Sequence, residues 1–279
     1  MATGPRRGAL RAIVTRPERD AAQWVADLQA RGVPALALPL IAIGPATQPA
    51  LRQALAQARA RLGTWRALMF VSGNAVHYFF EPNQAPALDI SALTAIKTRA
   101  WAPGPGTRQA LLDAGVPAAA IDSPAADAAQ FDSESLWRQV APQVRPGDRV
   151  LVVRGTTSGA AVEPGDTGGR GRDWLARQIE AAGGRVDFVA VYERGAPRLT
   201  PARQALAREA AADGSVWLLS SSEAVAHLGQ ALPGQDWQAA QALCTHPRIA
   251  QAARALGFGS VNECRPALPD VVASIESRR

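Results

Sequence analysis

The sequence of 279 residues is long enough for one large or two small domains with a sizeable core, and its 47% apolar content excludes an extended disordered chain. The formal net charge of +6 is carried almost wholly by arginine, Lys97 being the single lysine; this fits an anionic ligand of carboxylate or phosphate type and equally a compositional bias towards alanine and arginine. Two cysteines, Cys244 and Cys264, outside any C-x-x-C pair exclude a disulfide framework, no apolar run approaches the length of about 18 needed to span a membrane, and the basic start Met1 to Leu10 lacks the apolar core of a leader, so a cytoplasmic protein is expected.

Ala12-Ile13-Val14 reads as a short buried strand, turned by Thr15-Arg16-Pro17 into a helix with Trp24, Val25 and Leu28 on one face. This unit of about thirty residues is too small to stand alone and needs a partner from elsewhere in the chain. Val33 to Pro45 then follows Gly32 as an extended segment that ends at proline. Beyond it come a helix from Ala50 to Leu62, the strand Leu68-Met69-Phe70-Val71 stopped by Ser72-Gly73-Asn74, and a helix to Phe80. Ala100-Trp101-Ala102 is a strand stopped by Pro103-Gly104-Pro105-Gly106-Thr107 and followed by a helix closed at Gly115. Ile121-Asp122 forms a short edge strand, Asp132-Ser133-Glu134 opens the helix carrying Leu136, Trp137 and Val140, and Arg149 to Val153 is a buried strand ending at Arg154-Gly155. The Gly/Thr/Ser-rich stretch 156–170 reads as a loop flanked by Arg154 and Arg172, which could reach an acidic ligand or face solvent. Asp173-Trp174-Leu175 opens the helix that leads through Gly183-Gly184 to the strand Arg185 to Arg194.

This strand, running on to Pro197, is a twin of the segment 33–45, and the chain beyond it resembles the stretch between the twins. Pro201 to Ala211 is a helix, Val216-Trp217-Leu218-Leu219 a strand stopped by Ser220-Ser221-Ser222, and a helix starts at Glu223. Ala242-Leu243-Cys244 is a strand stopped by Thr245-His246-Pro247-Arg248, with a helix closed at Gly257, a last strand at Val261-Asn262-Glu263 and a terminal helix from Pro269 to Ser277. Phe70-Val71-Ser72-Gly73-Asn74-Ala75-Val76 echoes Leu219-Ser220-Ser221-Ser222-Glu223-Ala224-Val225, and Gly104-Pro105-Gly106-Thr107 echoes Thr245-His246-Pro247-Arg248. The expectation is an α/β protein of two similar lobes with parallel sheets flanked by helices, residues 1–34 plus 198–279 forming one and 46–184 the other, with 35–45 and 185–197 as crossing strands. Ligands of open parallel sheets bind beyond the carboxyl ends of the strands, which selects Ser72, Thr107, Ser222 and Arg248.

The histidines His77, His227 and His246 lie far apart, without metal-ligand spacing. Ser72 and Ser222 lack the G-x-S-x-G setting of a nucleophile and suit helix capping, and Gly104-Pro105-Gly106-Thr107 lacks the ending of a nucleotide-hydrolysing loop. Tyr192, one of two tyrosines, is either a packed aromatic or a site residue.

In order along the chain, Thr15-Arg16-Pro17, Phe70-Val71-Ser72-Gly73-Asn74-Ala75-Val76, Gly104-Pro105-Gly106-Thr107, Val152-Val153-Arg154-Gly155, Gly171-Arg172-Asp173-Trp174-Leu175, Val191-Tyr192-Glu193-Arg194, Ser220-Ser221-Ser222-Glu223-Ala224-Val225 and His246-Pro247-Arg248 resemble the uroporphyrinogen-III synthase family over almost the whole length. The resemblance implies two α/β lobes joined by a two-stranded β-ladder, and a cyclising hydro-lyase of tetrapyrrole (haem) biosynthesis that needs no cofactor or metal. It converts hydroxymethylbilane to uroporphyrinogen III, inverting the last ring with loss of water, through an azafulvene and a spiro intermediate. It implies Tyr192 as the group that assists departure of the hydroxyl, and Ser72, Gly73, Asn74, Gly106, Thr107, Arg154, Ser221, Ser222, Pro247 and Arg248 as substrate-binding residues. Two features depart from the family pattern: Arg248 stands where a hydroxyl is expected, and the loop 156–170 is long. The expected partner is the polycarboxylate substrate, with no nucleic acid or membrane; the chain is expected to be a monomer in at most transient contact with hydroxymethylbilane synthase. The other readings are a two-lobed binding protein for an anionic small molecule, without catalysis, and a nucleic-acid-binding protein, against which the arginines are dispersed and no aromatic-basic platform appears.

Overall fold

The computed structural model describes residues 10–81, 97–125, 132–158 and 170–278, with the backbone alone at 170–173. The chain divides into two compact units, one from Met1–Ile43 and Gly195–Arg279, the other Gly44–Arg194. Among the described residues no helix is long and apolar enough to cross a membrane.

The first unit holds strands β1 (Ala12–Val14), β2 (Ala35–Ala37), β9 (Val216–Leu219), β10 (Gln241–Cys244) and β11 (Ser260–Glu263), in the order β11-β10-β9-β1-β2 and all parallel. Its central strands are unbroken apolar runs because both faces are covered, and alternate residues serve opposite cores. Ile13, Trp217, Leu219, Ala242 and Cys244 pack with helices α7 (Pro201–Ala210), α8 (Ser222–Ala231) and α9 (Pro247–Leu256). Ala12, Val14, Val216, Leu218 and Leu243 pack with Ala21 and Leu28 of α1 (Glu18–Gln29) and with Val271 and Ile275 of α10 (Leu268–Glu276).

The second unit orders its strands β3-β8-β7-β4-β5-β6, from β3 (Ala42–Pro45), β4 (Ala67–Phe70), β5 (Arg99–Trp101), β6 (Ile121–Asp122), β7 (Arg149–Thr157) and β8 (Arg185–Gly195). β8, β7, β4, β5 and β6 are parallel. Ala67, Met69, Trp101, Val150 and Val152 pack with Leu136 and Val140 of α5 (Ser133–Val140) and Leu175 and Ile179 of α6 (Arg170–Ala181). Among the described residues the other helices of this unit are α2 (Pro49–Ala60), α3 (Gly73–Phe80) and α4 (Pro105–Asp113).

The sheets correspond strand for strand, β2-β1-β9-β10-β11 with β8-β7-β4-β5-β6. The chain enters the two blocks in opposite order: the first unit lays down its β1-β2 pair before the other three strands, whereas the second lays down β4-β5-β6 before β7-β8. The topological switch therefore falls between β1 and β9 in one sheet and between β7 and β4 in the other.

Two segments differ from expectation. The segment 33–45 is not one continuous strand: β2 pairs in parallel with β1 in the first sheet, and β3 lies beside β8 in the second. Pro39 stands between them, with no N–H for a ladder. The strand expected to end at Val153 continues to Thr157, carried by pairing with β8 across a bulge at Arg154/Gly155. Thr156 and Thr157 of the expected loop thus belong to β7, whereas residues 159–169 and the side chain of Arg172 lie outside the described residues.

Candidate active site

In the second unit the turns after β4 and β5 lie side by side. Ser72 is extended, and its Oγ accepts from the Ala75 amide at 3.2 Å, capping α3. The first-turn amides of Gly73 and Asn74 keep the partial positive charge of a helix start. A Cβ on Gly73 would lie 3.5 Å from Ala110 Cβ and 3.9 Å from the Gly106 carbonyl oxygen, so the first turns of α3 and α4 are in contact. Gly104 caps α4 without a side chain and Pro105 supplies no N–H, which leaves the Gly106 amide at an exposed position. Thr107, predicted as a substrate contact, is buried. A cavity of about 590 Å3 lined by Pro105, Arg108, Asp122, Ser123 and Gln139 adjoins this turn.

Tyr192 reaches the same neighbourhood because of the bulge. Arg154 pairs with Ala190, but Gly155 pairs with Tyr192, so Val191 is the extra residue. One inserted residue exchanges the faces of the side chains that follow it. Tyr192 is buried, with 8% exposure, and its ring lies against the bare backbone of Gly155: a Cβ there would stand 2.2 Å from Cε2. On α3, Tyr78 stacks with Tyr192 at 5.8 Å between centroids. The Tyr192 hydroxyl is 3.4 Å from Ser72 Oγ, at the outer limit of a hydrogen bond. The next residue, Glu193, is a buried carboxylate that accepts from the Thr47 amide at 3.3 Å and from Thr47 Oγ1 at 2.9 Å.

Arg154 does not extend towards solvent at the end of its strand. It is 4% exposed, with its guanidinium 5.5 Å from the ring of Phe188, a residue of the Met69–Val152 core.

The first unit repeats the turn design. Ser221, not Ser222, caps α8, accepting from the Ala224 amide at 3.5 Å; Ser222 is the first helical residue and is exposed. Ser221 is therefore the counterpart of Ser72. His246 caps α9 through Nδ1, which accepts from the Arg248 amide at 3.1 Å. Gly104 and His246 are thus equivalent caps, Arg248 corresponds to Gly106, and buried Ile249 corresponds to buried Thr107. The echo between the two turns therefore runs one residue off from Gly104-Pro105-Gly106-Thr107 against Thr245-His246-Pro247-Arg248. Pro247 and the Arg248 side chain are exposed. His227 bonds to the Leu40 carbonyl at 2.8 Å and serves the core.

Sequence reasoning singled out Ser72, Gly73, Asn74, Gly106 and Tyr192, all of which stand at these turns or on the strand beside them. It missed Tyr78, Gly155 and the Thr47–Glu193 pair. A glycine inside a strand was the available signal for a close approach at 155.

The chain matches the family model described as uroporphyrinogen-III synthase HemD over residues 22–272. It resembles the crystal structure of uroporphyrinogen-III synthetase from Helicobacter pylori at 16% identity and a TM-score of 0.58, covering 97% of this chain and 100% of that one. It also matches a mutant uroporphyrinogen III synthase from the extremely thermophilic bacterium Thermus thermophilus at 19% identity and a TM-score of 0.49, covering 97% and 98%. At these identities the Helicobacter structure speaks for the fold alone, and the family model carries the assignment: the chain belongs to the uroporphyrinogen-III synthase family.

Proposed function

We propose that the chain cyclises hydroxymethylbilane to uroporphyrinogen III in the cytoplasm, as a monomer, with Tyr192 as the acid that assists loss of the terminal hydroxyl. The hydroxyl leaves as water, taking a proton from the phenol while the adjacent pyrrole nitrogen supplies the electron pair that makes the azafulvene. Ring closure through the spiro intermediate and rearrangement release one ring proton, which restores the phenol, so that substrate becomes product plus water.

The observation that carries this role is the place of the Tyr192 hydroxyl, 3.4 Å from the Ser72 oxygen that caps α3. Ser72 Oγ already accepts from Ala75, so its own proton is free to point at the phenol oxygen and to steady the phenolate when the proton has gone. The unpaired first-turn amides of α3 favour negative charge at the same spot. The rest of catalysis is positioning, because the azafulvene also closes unaided to the symmetric isomer.

The substrate's eight carboxylates call for donors. The amides of Gly73, Asn74, Gly106 and Ser222, the hydroxyl of Ser221 and the Arg248 guanidinium serve as those donors, while Pro247 fixes the first turn of α9 and Ser72 serves through the Tyr192 hydroxyl. Thr107 and Arg154, being buried, act by holding the α4 turn and the end of β7. Tyr192→Phe keeps the ring in its seat and removes the acid. Its yield of isomer III is expected to fall more than tenfold with the melting temperature unchanged, as general acid catalysis contributes about a hundredfold or more. Near-normal turnover would reduce Tyr192 to packing.

A further inference from the structure

Arg16 stands where β1, beside the switch point of the first sheet, turns into α1. The turn is fixed on both sides. Buried Thr15 donates its hydroxyl to the Leu218 carbonyl of β9 at 2.7 Å, and the Arg16 guanidinium lies over the Trp24 ring, 4.2 Å from its centroid. Trp24 in turn packs against the α1–α10 core. The arginine is half-buried, and burial lowers its pKa, with the charge of Asp20 acting the other way. No hydrogen bond or ion pair runs from its guanidinium to any described residue. Glu18, at the start of the same helix, is taken by Arg203 at 2.9 Å.

The contrast with other arginines is informative. Burial also lowers the pKa of Arg59 and Arg278, and both donate to backbone carbonyls, Arg59 to Phe79 and Glu81 and Arg278 to Ser274. Arg16 alone of the three is desolvated with its fork unspent. The Trp24 ring orients this fork, and an oriented guanidinium matches a carboxylate through two parallel hydrogen bonds. The next strand, β9, leads into the Ser221-capped start of α8, whose first amides add positive potential.

We infer that Arg16 is a substrate-binding residue that grips one acetate or propionate carboxylate of the tetrapyrrole, with Trp24 setting the plane of its fork. The identity of the ligand rests on the synthase reading; the presence of a carboxylate site at this turn does not.

The test is a fluorescence titration of the full chain with uroporphyrin III, the stable oxidised form of the product, alongside the steady-state assay with hydroxymethylbilane. Arg16→Gln is expected to weaken porphyrin binding about tenfold, the worth of a charge-assisted hydrogen bond, and to raise KM with kcat retained. Arg16→Lys, a cation without the fork, falls between, and Arg19→Gln, which removes an exposed neighbouring charge, binds as wild type. Equal affinity in Arg16→Gln and wild type overturns the inference, as does a wild-type protein that does not bind the porphyrin. Should Arg16→Gln not fold, Arg16→Lys decides: severalfold weaker binding upholds the fork and unchanged binding overturns it. If porphyrin binding depends on Arg16 but no isomer III is made, the synthase reading fails and the carboxylate site stands.

Discussion

Tyr192 is held by three residues. Gly155 leaves room for the ring, Tyr78 covers it and Ser72 aligns its hydroxyl. With a Cβ placed 2.2 Å from Cε2, Gly155→Ala forces the ring out of its seat, and an overpacked core site costs about 1–3 kcal/mol. We expect Gly155→Ala to lose isomer III activity as deeply as Tyr192→Phe, and the double variant to be no worse than either, because both changes remove the same group. Losses that multiply would show Gly155 acting elsewhere. Glu193 offers a second test at this scale. Thr47→Val leaves its buried carboxylate one hydrogen bond short, at an expected cost of about 1–3 kcal/mol in urea unfolding. An unshifted midpoint would mean that water already serves the carboxylate.

Four helices, α3 and α8 of the site among them, begin at a polar cap that is plain in the sequence. Ser72, Asp132, Thr200 and Ser221 accept from the amide three residues on. The caps also fix register, which separates Ser221 from Ser222. Ser221→Ala is expected to cost about 1 kcal/mol and Ser222→Ala close to nothing, measured as shifts in the denaturant midpoint. Equal costs would contradict the register. What remained hidden has physical causes. His246 caps α9 with a ring nitrogen rather than a hydroxyl or carboxylate, so the cap position of its turn carries no sequence mark. Gly155 and the threonines after it have the composition of a loop, yet partner β8 holds them in β7, and no single-strand pattern reveals a bulge that exists only against its neighbour. Tyr78 meets Tyr192 across 114 residues of sequence, beyond the reach of any local period.

At the scale of the molecule, the repeated strand–turn–helix pattern and the two long segments flanking it made both sheets and the family resemblance legible. The permuted order of the blocks was not, because strands carry no mark of who pairs with whom. The buried core makes one further commitment. The thiol of Cys244 in β10 is pushed up to about 12 by desolvation, against its ordinary 9.0. Between these values the unfolded chain has lost a proton that the folded chain still holds, so stability falls as pH rises from about 9. The melting temperature of the wild type should therefore drop more steeply between about pH 8 and 10 than that of Cys244→Ala; parallel profiles would contradict it.

The most direct test supplies freshly made hydroxymethylbilane to the purified protein, oxidises the products and separates the porphyrin isomers. A protein-dependent shift from isomer I to isomer III is the predicted result. Isomer I alone, with folded protein and substrate intact at the start, would contradict the synthase account and leave the turns of both units as binding sites for another anion.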